Sequence, residues 1–287
     1  MKKQENMKKY YDIIIDLKGI DEFKEMLNRL HNFYIKNDAL PDIKLRNYLL
    51  ISKRGGGITT LVKTFAEYLN AAKAIEFCGT VKSFEFKLEY IAPELYFSEL
   101  TRLNNAISGF AGYNRFYKGI ICININEWLD HIGESHFMKF LNYISSNNDK
   151  LLAIFCIHSD TKNKLEAVES VLASHLRIDS LTLRFPDENE LVELMESQYI
   201  QDKGFSFTED AKTLLSETIK EIASENQFNG FKSIVQLSND ILFNIITTDW
   251  GGNKHISADM LSCYSKDSNY VKRTKTRIGS ELTIGFG

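Results

Sequence analysis

The stretch Ile51–Thr60, ISKRGGGITT, follows the apolar run NYLL. A strand that enters a glycine cluster and leaves it as a helix makes a nest of backbone N–H groups, positive enough to hold a phosphate. The phosphate-loop pattern is G-x-x-x-x-G-K-[ST], whose lysine meets the β- and γ-phosphates and whose hydroxyl meets magnesium. In this frame the first glycine is Ser52, the loop glycines survive as Gly55, Gly56 and Gly57, and the lysine position is Ile58. Thr59 keeps the hydroxyl, and Thr60 follows. The nest is expected to form without its point charge. Two readings of the glycines stay open: a tight turn between strand and helix, or a weak anion site on the helix N-terminus.

The elements around the loop follow from hydrophobic spacing. Phe23, Met26, Leu27, Leu30 and Phe33 predict a helix over residues 20–36, started by Asp21, with a turn at Asn37–Pro41. RNYLLIS is a strand. Leu61, Val62, Phe65 and Leu69 predict a helix over Thr59–Leu69. AIEFCG is a second strand candidate, and the aromatic-rich FEFKLEYIAPELYFSEL is left unassigned. GIICINI, KLLAIFCI and SLTLRF are apolar enough to be buried strands of a parallel sheet, with SHFMKFLNYISS a helix between the first two. From Asp187 onward the pattern is helical: DENELVELMESQYIQDKG ending at Gly204, TEDAKTLLSETIKEIAS capped by Thr208, GFKSIVQLSNDILFNIIT, and a short helix at 257–264. Strands alternating with helices predict an α/β fold, a doubly wound parallel sheet with a small C-terminal helical lid domain. The expected boundaries are 1–187 for the core with its N-terminal linker helix, 188–265 for the lid and 266–287 for a basic flexible tail.

Bulk properties exclude several classes. The 287 residues carry a net charge of −3, with 44% hydrophobic and 25% charged residues. Such balance gives no drive toward nucleic acid or an anionic membrane. The N-terminus lacks the apolar core of a signal peptide, and no run is long enough to span a bilayer. Cys78, Cys122, Cys156 and Cys263 make no Cys-x-x-Cys pair, so no zinc site is expected, and buried free thiols fit a reducing, cytoplasmic setting. Cys156 and His158 share a strand face, but no third group orients them, so a thiol enzyme is not expected. KRTKTR (272–277) lacks a supporting basic surface and reads as a solvated tail, not a nucleic-acid site; the terminal LTIGFG has the character of a docking peptide.

Taken in order, these segments resemble an AAA+ ATPase domain, and most closely the CbxX/CfqX and stage V sporulation protein K type, from about Leu17 to about Ile246. LKGIDEFKEML resembles the family's N-terminal linker, YLLISKRGGGITTLVKTFAEYL its Walker A segment, and GIICINI its Walker B strand. NDKLLAIFCIHSD resembles its sensor 1 strand, ESVLASHLRIDSLTLRFPDENELVELM its arginine-finger segment, and NGFKSIVQLSNDIL its sensor 2 helix. The family's chemistry is then missing residue by residue. The Walker B Asp-Glu pair aligns with Asn124 and Ile125, an amide that is a poor magnesium ligand and a side chain that cannot orient water. A shifted register would offer Asn126 and Glu127 instead. His158 holds the sensor 1 position, His175 the arginine finger with Arg177 two residues on, and Lys232 sensor 2. His158 also reads as an interior histidine, His175 and Arg177 as surface or interface groups, and Lys232 as structural.

The resemblance implies a catalytically degenerate AAA+ protein, a pseudo-ATPase, acting as a structural or regulatory subunit with another AAA+ subunit or itself as partner. No catalytic residue and no metal ligand is assigned, and no firmly held cofactor is expected; ATP or ADP with magnesium would bind weakly. Its rivals are an atypical ATP-dependent remodelling chaperone and an initiator-like nucleic-acid binder.

Overall fold

Alternate residues of a strand leave opposite faces, so a strand that is apolar at every position has to be covered on both. The computed structural model of the chain shows this arrangement. It describes residues 2–36, 45–75, 82–85, 119–148, 151–158, 162–224, 228–248, 254–268 and 271. AIEFCG beyond Ile75, the aromatic stretch beyond Glu85, Trp250 and the 272–287 tail lie outside those residues. The chain divides into two units, Met1–Lys53 with Gly57–Arg184, and Arg54–Gly56 with Phe185–Gly287.

In the first unit the elements are α1 (Lys2–Asp16), α2 (Asp21–Lys36), β1 (Asn47–Ser52), α3 (Ile58–Ala71), β2 (Lys82–Glu85), β3 (Gly119–Asn124), α4 (Ser135–Ser146), β4 (Leu151–His158), α5 (Lys162–His175) and β5 (Ile178–Leu183). The five strands form one parallel sheet in the order β2-β3-β4-β1-β5. Leu50, Leu152, Ile154 and Leu181 pack with Phe23 of α2 and Phe65 of α3 on one face. Leu49, Ile123, Phe155 and Ile157 pack with Trp128 and with Phe137 and Phe140 of α4 on the other. The doubly wound parallel sheet expected from the sequence is therefore what forms. Helices α1 and α5 are not anticipated by the sequence reading, although Met7, Tyr10 and Ile14, and Leu165, Val168 and Leu172, have helical spacing and face the two cores.

One buried polar side chain sets the start of three strands. Asn47 is fully buried. Its Oδ1 accepts from Ala153 N at 2.9 Å, its Nδ2 donates to Asn148 Oδ1 at 3.1 Å, and its backbone N donates to Arg177 O at 2.9 Å. An unmade hydrogen bond in such a place costs about 1–3 kcal/mol. Asn47→Leu is expected to lower stability by about 2 kcal/mol, read as a lower urea midpoint at unchanged slope.

His31 of α2 stacks on Tyr11 of α1 at 4.0 Å and shares a hydrogen bond between Nδ1 and the Tyr68 hydroxyl at 3.2 Å. Burial lowers its pKa, with Asp12 opposing. The folded state thus binds its proton less readily than the unfolded chain. The His31 contribution is complete above about pH 6.5 and is lost as pH falls through the lowered value. Urea midpoints should fall between pH 7.5 and 5.5, and the fall should be shallower in His31→Phe, which keeps the ring stack.

In the second unit α6 (Glu188–Met195) opens with a capping box: Asp187 Oδ1 accepts from Glu190 N at 2.9 Å, and Glu190 returns a carboxylate to Asp187 N at 3.0 Å. The single helix expected to run to Gly204 instead changes into a π turn, Glu196–Ile200, and a 3₁₀ turn, Gln201–Lys203. The extra residue aims Glu196 inward, where it accepts from Phe207 N at 2.9 Å and pairs with Lys212 at 3.1 Å. α7 (Glu209–Ala223) and α8 (Phe231–Thr247) complete the bundle, with a 3₁₀ turn at Asp259–Tyr264. The segment is not wholly helical, because β6 (Ser206–Phe207) and β7 (His255–Ile256) pair in parallel. Among the described residues no helix is long and apolar enough to cross a membrane.

Candidate functional site

The chain leaves β1 toward α3 and β2 on one side, and leaves β4 across β1 toward β5 on the other. The carboxyl ends of β1 and β4 therefore form the switch point of the sheet, where ligands of open α/β folds bind. Ser52 and His158 are register partners there. Ser52 is buried, and its hydroxyl donates to Lys53 O at 3.0 Å.

Gly57 sits at φ +77° as the residue before α3, and its carbonyl accepts the first turn's N–H from Leu61 at 3.0 Å. A left-handed residue here is what the glycine supplies. Ile58 opens the helix and packs against the first core cluster. Its apolar side chain is thus used for packing at the position where the phosphate loop needs a cation. Thr59 and Thr60 are exposed.

β3 ends at Asn124. The Asn124 Oδ1 accepts from Asn126 N at 3.0 Å, which turns the chain into the 3₁₀ turn Asn126–Trp128. Asn126 Oδ1 in turn accepts from His158 N at 2.7 Å and ties the end of β3 to the end of β4. The shifted register, Asn126 and Glu127, lies on this turn and not on the strand. Ile125 is completely buried in the second core with Trp128 and Phe155, and its backbone N donates to Cys156 O at 3.2 Å. So Asn124, Asn126 and His158 come together through the hydrogen bonds of a chain turn.

Residues that hold ATP and magnesium need a cation on the loop, a carboxylate on the metal and a carboxylate on water. Ile58 is turned to the core, the Asn124 oxygen is engaged by the backbone, and Ile125 has no access to solvent. The residues present do not fit the group, and no hydrolytic step is derived from them.

His175 closes α5. Its Nδ1 lies 3.1 Å from Val171 O and 2.8 Å from Ser174 Oγ. It precedes β5, whose first residue is the register partner of Asn47, whereas the loop follows Ser52 at the far end of β1. Five residues of strand, about 17 Å, separate the two. His175 and Arg177 are not brought to the loop of their own chain.

In the second unit, Gly55 and Gly230 meet backbone to backbone. Phe231 N donates to Gly55 O at 3.2 Å, at the entry to α8. Gly55 has φ +75° and Gly230 φ +56° with ψ −132°. A Cβ on Gly230 would lie 2.4 Å from Gly55 O, and one on Gly55 would lie 2.5 Å from Asn229 O. Phe185 rings Phe228 and Phe231 at 5.7 and 5.3 Å beside this contact. Lys232 is exposed on the same first turn, its N donating to Asn229 O at 3.2 Å. The sequence reading missed the glycine pair. Its signal was an Asn-Gly before a helix, which marks a special backbone but does not name its partner.

Also missed is a thiol contact: Cys122 and Cys156 on neighbouring strands place their sulfurs 3.3 Å apart. The shared hydrogen bond lowers the Cys122 pKa, and the same bond with burial raises that of Cys156.

No family model matches the chain, and no curated protein matches it. Solved structures do. PCH-2 of C. elegans matches with a TM-score of 0.52 at 12% identity, over 89% of this chain and 69% of its own. Hsp104, in a closed state with ATPγS and FITC-casein, matches with 0.43 at 12%, over 83% and 41%. A chain of the Drosophila ORC complex with AT-rich DNA and Cdc6 matches with 0.45 at 12%, over 98% and 45%. This chain thus spans less than half of the last two. At this identity the likeness concerns the fold alone, and the PCH-2 match carries it. With the parallel sheet, the glycine loop at its switch point and the helices on both faces, the chain has the fold of an AAA+ domain.

Proposed function

We propose that this chain is a catalytically degenerate AAA+ protein of the CbxX/CfqX-like type, a structural or regulatory subunit that works beside an active AAA+ partner or in a ring with itself. One observation carries the reading. At the two positions where the family's lysine and glutamate act, Ile58 and Ile125 are both apolar: Ile58 is half-buried against the first core, and Ile125 is enclosed in the second. Loss of the arginine finger alone costs on the order of 10³ in rate, and here the lysine, both Walker B carboxylates and the finger are replaced together. Because His175 and Arg177 stand away from the loop of their own chain, any role they have in nucleotide chemistry is toward a neighbouring subunit.

Calorimetric titration with ATP and ADP, with and without magnesium, tests the reading. The expected result is no magnesium-dependent heat at millimolar nucleotide and no phosphate release. The glycine nest and the exposed Thr59 favour a second reading, nucleotide binding by an atypical remodelling chaperone. That reading is upheld, and the first overturned, if turnover is measured and Thr59→Ala abolishes it.

A further inference from the structure

The opposite end of the sheet holds a different feature. A groove of about 1040 Å³ lies between α2 and β5, with Leu30 and Phe33 among its apolar residues and Arg29, Arg46 and Arg177 along it. Arg46 pairs with Asp179 at 2.6 Å. Among the described residues no ion pair engages Arg29 or Arg177. Arg29 on α2 and Arg177 just before β5 thus border one groove with no ion pair among the described residues.

Among the described residues β5 is an edge strand, pairing with β1 alone. Asn47 N donates to Arg177 O, so in the parallel ladder residues 177, 179, 181 and 183 turn their backbone groups toward β1. Ile178, Ser180 and Thr182 turn theirs outward. Glu22 of α2 accepts from Thr182 N at 2.6 Å and closes the upper part of that edge. Among the described residues no backbone hydrogen bond reaches the outward groups of Ile178 and Ser180, which lie beside the arginines and line the groove. An open edge next to an apolar floor is a template for strand addition.

We propose that this edge receives an extended acidic peptide from a partner protein, laid as a sixth strand along Ile178–Ser180. Its backbone would complete the ladder. Alternate side chains of a strand leave opposite faces, so a segment alternating apolar and acidic residues serves both the floor and the arginines. Arginine is the suited cation because its fork takes a carboxylate through two parallel hydrogen bonds. A small phosphate or nucleotide would use the arginines and leave the outward N–H and C=O groups unsatisfied, so a peptide uses more of what the groove offers.

The probe is a fluorescein-labelled, amidated peptide of four Val-Glu repeats, titrated with the full chain and followed by anisotropy. Saturable binding is expected, weakened by salt as screening of exposed charges requires. The same peptide with lysine for glutamate should not bind. Arg29→Glu with Arg177→Glu should weaken binding by about tenfold or more, since two attractions become repulsions. N-methylation of alternate valines, which removes ladder donors from the peptide and leaves the protein untouched, should abolish it. The proposal is overturned if no peptide binds at about millimolar protein, if the lysine peptide binds as well, if the double arginine variant binds normally while its circular dichroism is unchanged, or if N-methylation has no effect. Displacement by tripolyphosphate, with N-methylation tolerated, would assign the groove to a small anion instead.

Discussion

Gly230→Ala is expected to be among the most damaging single-methyl changes in this chain, at about 3 kcal/mol or more. Two costs add. The backbone at φ +56° and ψ −132° is open to glycine and strained for any residue with a Cβ, by about 1–3 kcal/mol. The new methyl would also stand 2.4, 2.6 and 2.8 Å from the O, C and Cα of Gly55, all backbone atoms that cannot swing aside. Gly204 is the built-in control. It has φ +81° but nothing within 4 Å of its would-be Cβ, so Gly204→Ala isolates the backbone cost, about 1–2 kcal/mol. Gly55→Ala should resemble Gly230→Ala, and the double variant should cost much less than the sum, because both methyls invade one contact. The measurement is the urea midpoint of each variant. If Gly230→Ala proved no worse than Gly204→Ala, the close approach of the two glycines would be refuted.

That contact bears on the glycine loop itself. A phosphate loop keeps its N–H groups for the ligand and is shaped by it. Here the carbonyl of Gly55 accepts from Phe231 N, and the left-handed backbone at Gly55 and Gly57 is fixed by turn and helix geometry. Gly55 is thus required by a close backbone approach and Gly57 by the entry to α3, so neither glycine by itself calls for a bound nucleotide.

Legibility in the sequence divides by physical cause. The strands GIICIN and LLAIFCIH were readable because unbroken apolar runs leave no choice but burial on two faces, and α4 was readable because its apolar spacing is helical and its ends are polar. The sheet follows from the alternation of such segments. α1 escaped notice because its mean hydropathy is low and only Met7 and Ile14 reach deep burial. The change of α6 into a π turn goes with the contacts of Glu196 to Phe207 N and Lys212, and no local pattern reports a tertiary partner. At the site, the residue types at Ile58, Asn124 and Ile125 were visible. What they do was not: only the packing says that Ile125 is core and that Asn124 closes a turn. The arginine groove was equally hidden, since Arg29, Arg46 and Arg177 are up to 148 residues apart in the chain.

The second large effect concerns whether the side chains of ATP chemistry can be built in at residues 58, 124 and 125. Ile58→Lys should be tolerated, because Ile58 is only half-buried and a lysine can lay its stem on the core and keep its charge in water. Asn124→Asp should cost little, because a carboxylate oxygen can accept from Asn126 N as the amide oxygen does. Ile125→Glu is the obstacle. The side chain is completely enclosed among Trp128, Leu129, Phe155 and Ile157. A carboxylate placed there loses its solvation with no cation to offset it, and its pKa rises. The expected loss is about 4 kcal/mol at pH 7, close to the whole stability of many domains. The sign follows from the raised pKa: below about pH 4.3 the group is protonated in both states and the charge penalty is absent, and the penalty grows as pH rises toward the folded-state value. Ile125→Gln, neutral at every pH, should be damaging without that dependence. Urea midpoints of the two variants at pH 4 and pH 7 separate the cases. If Ile125→Glu kept wild-type stability at pH 7, the position would have to open to solvent, and a catalytic carboxylate could be housed there. If it unfolds the chain as expected, residue 125 cannot house a water-orienting carboxylate, because the core around it cannot hold a charge.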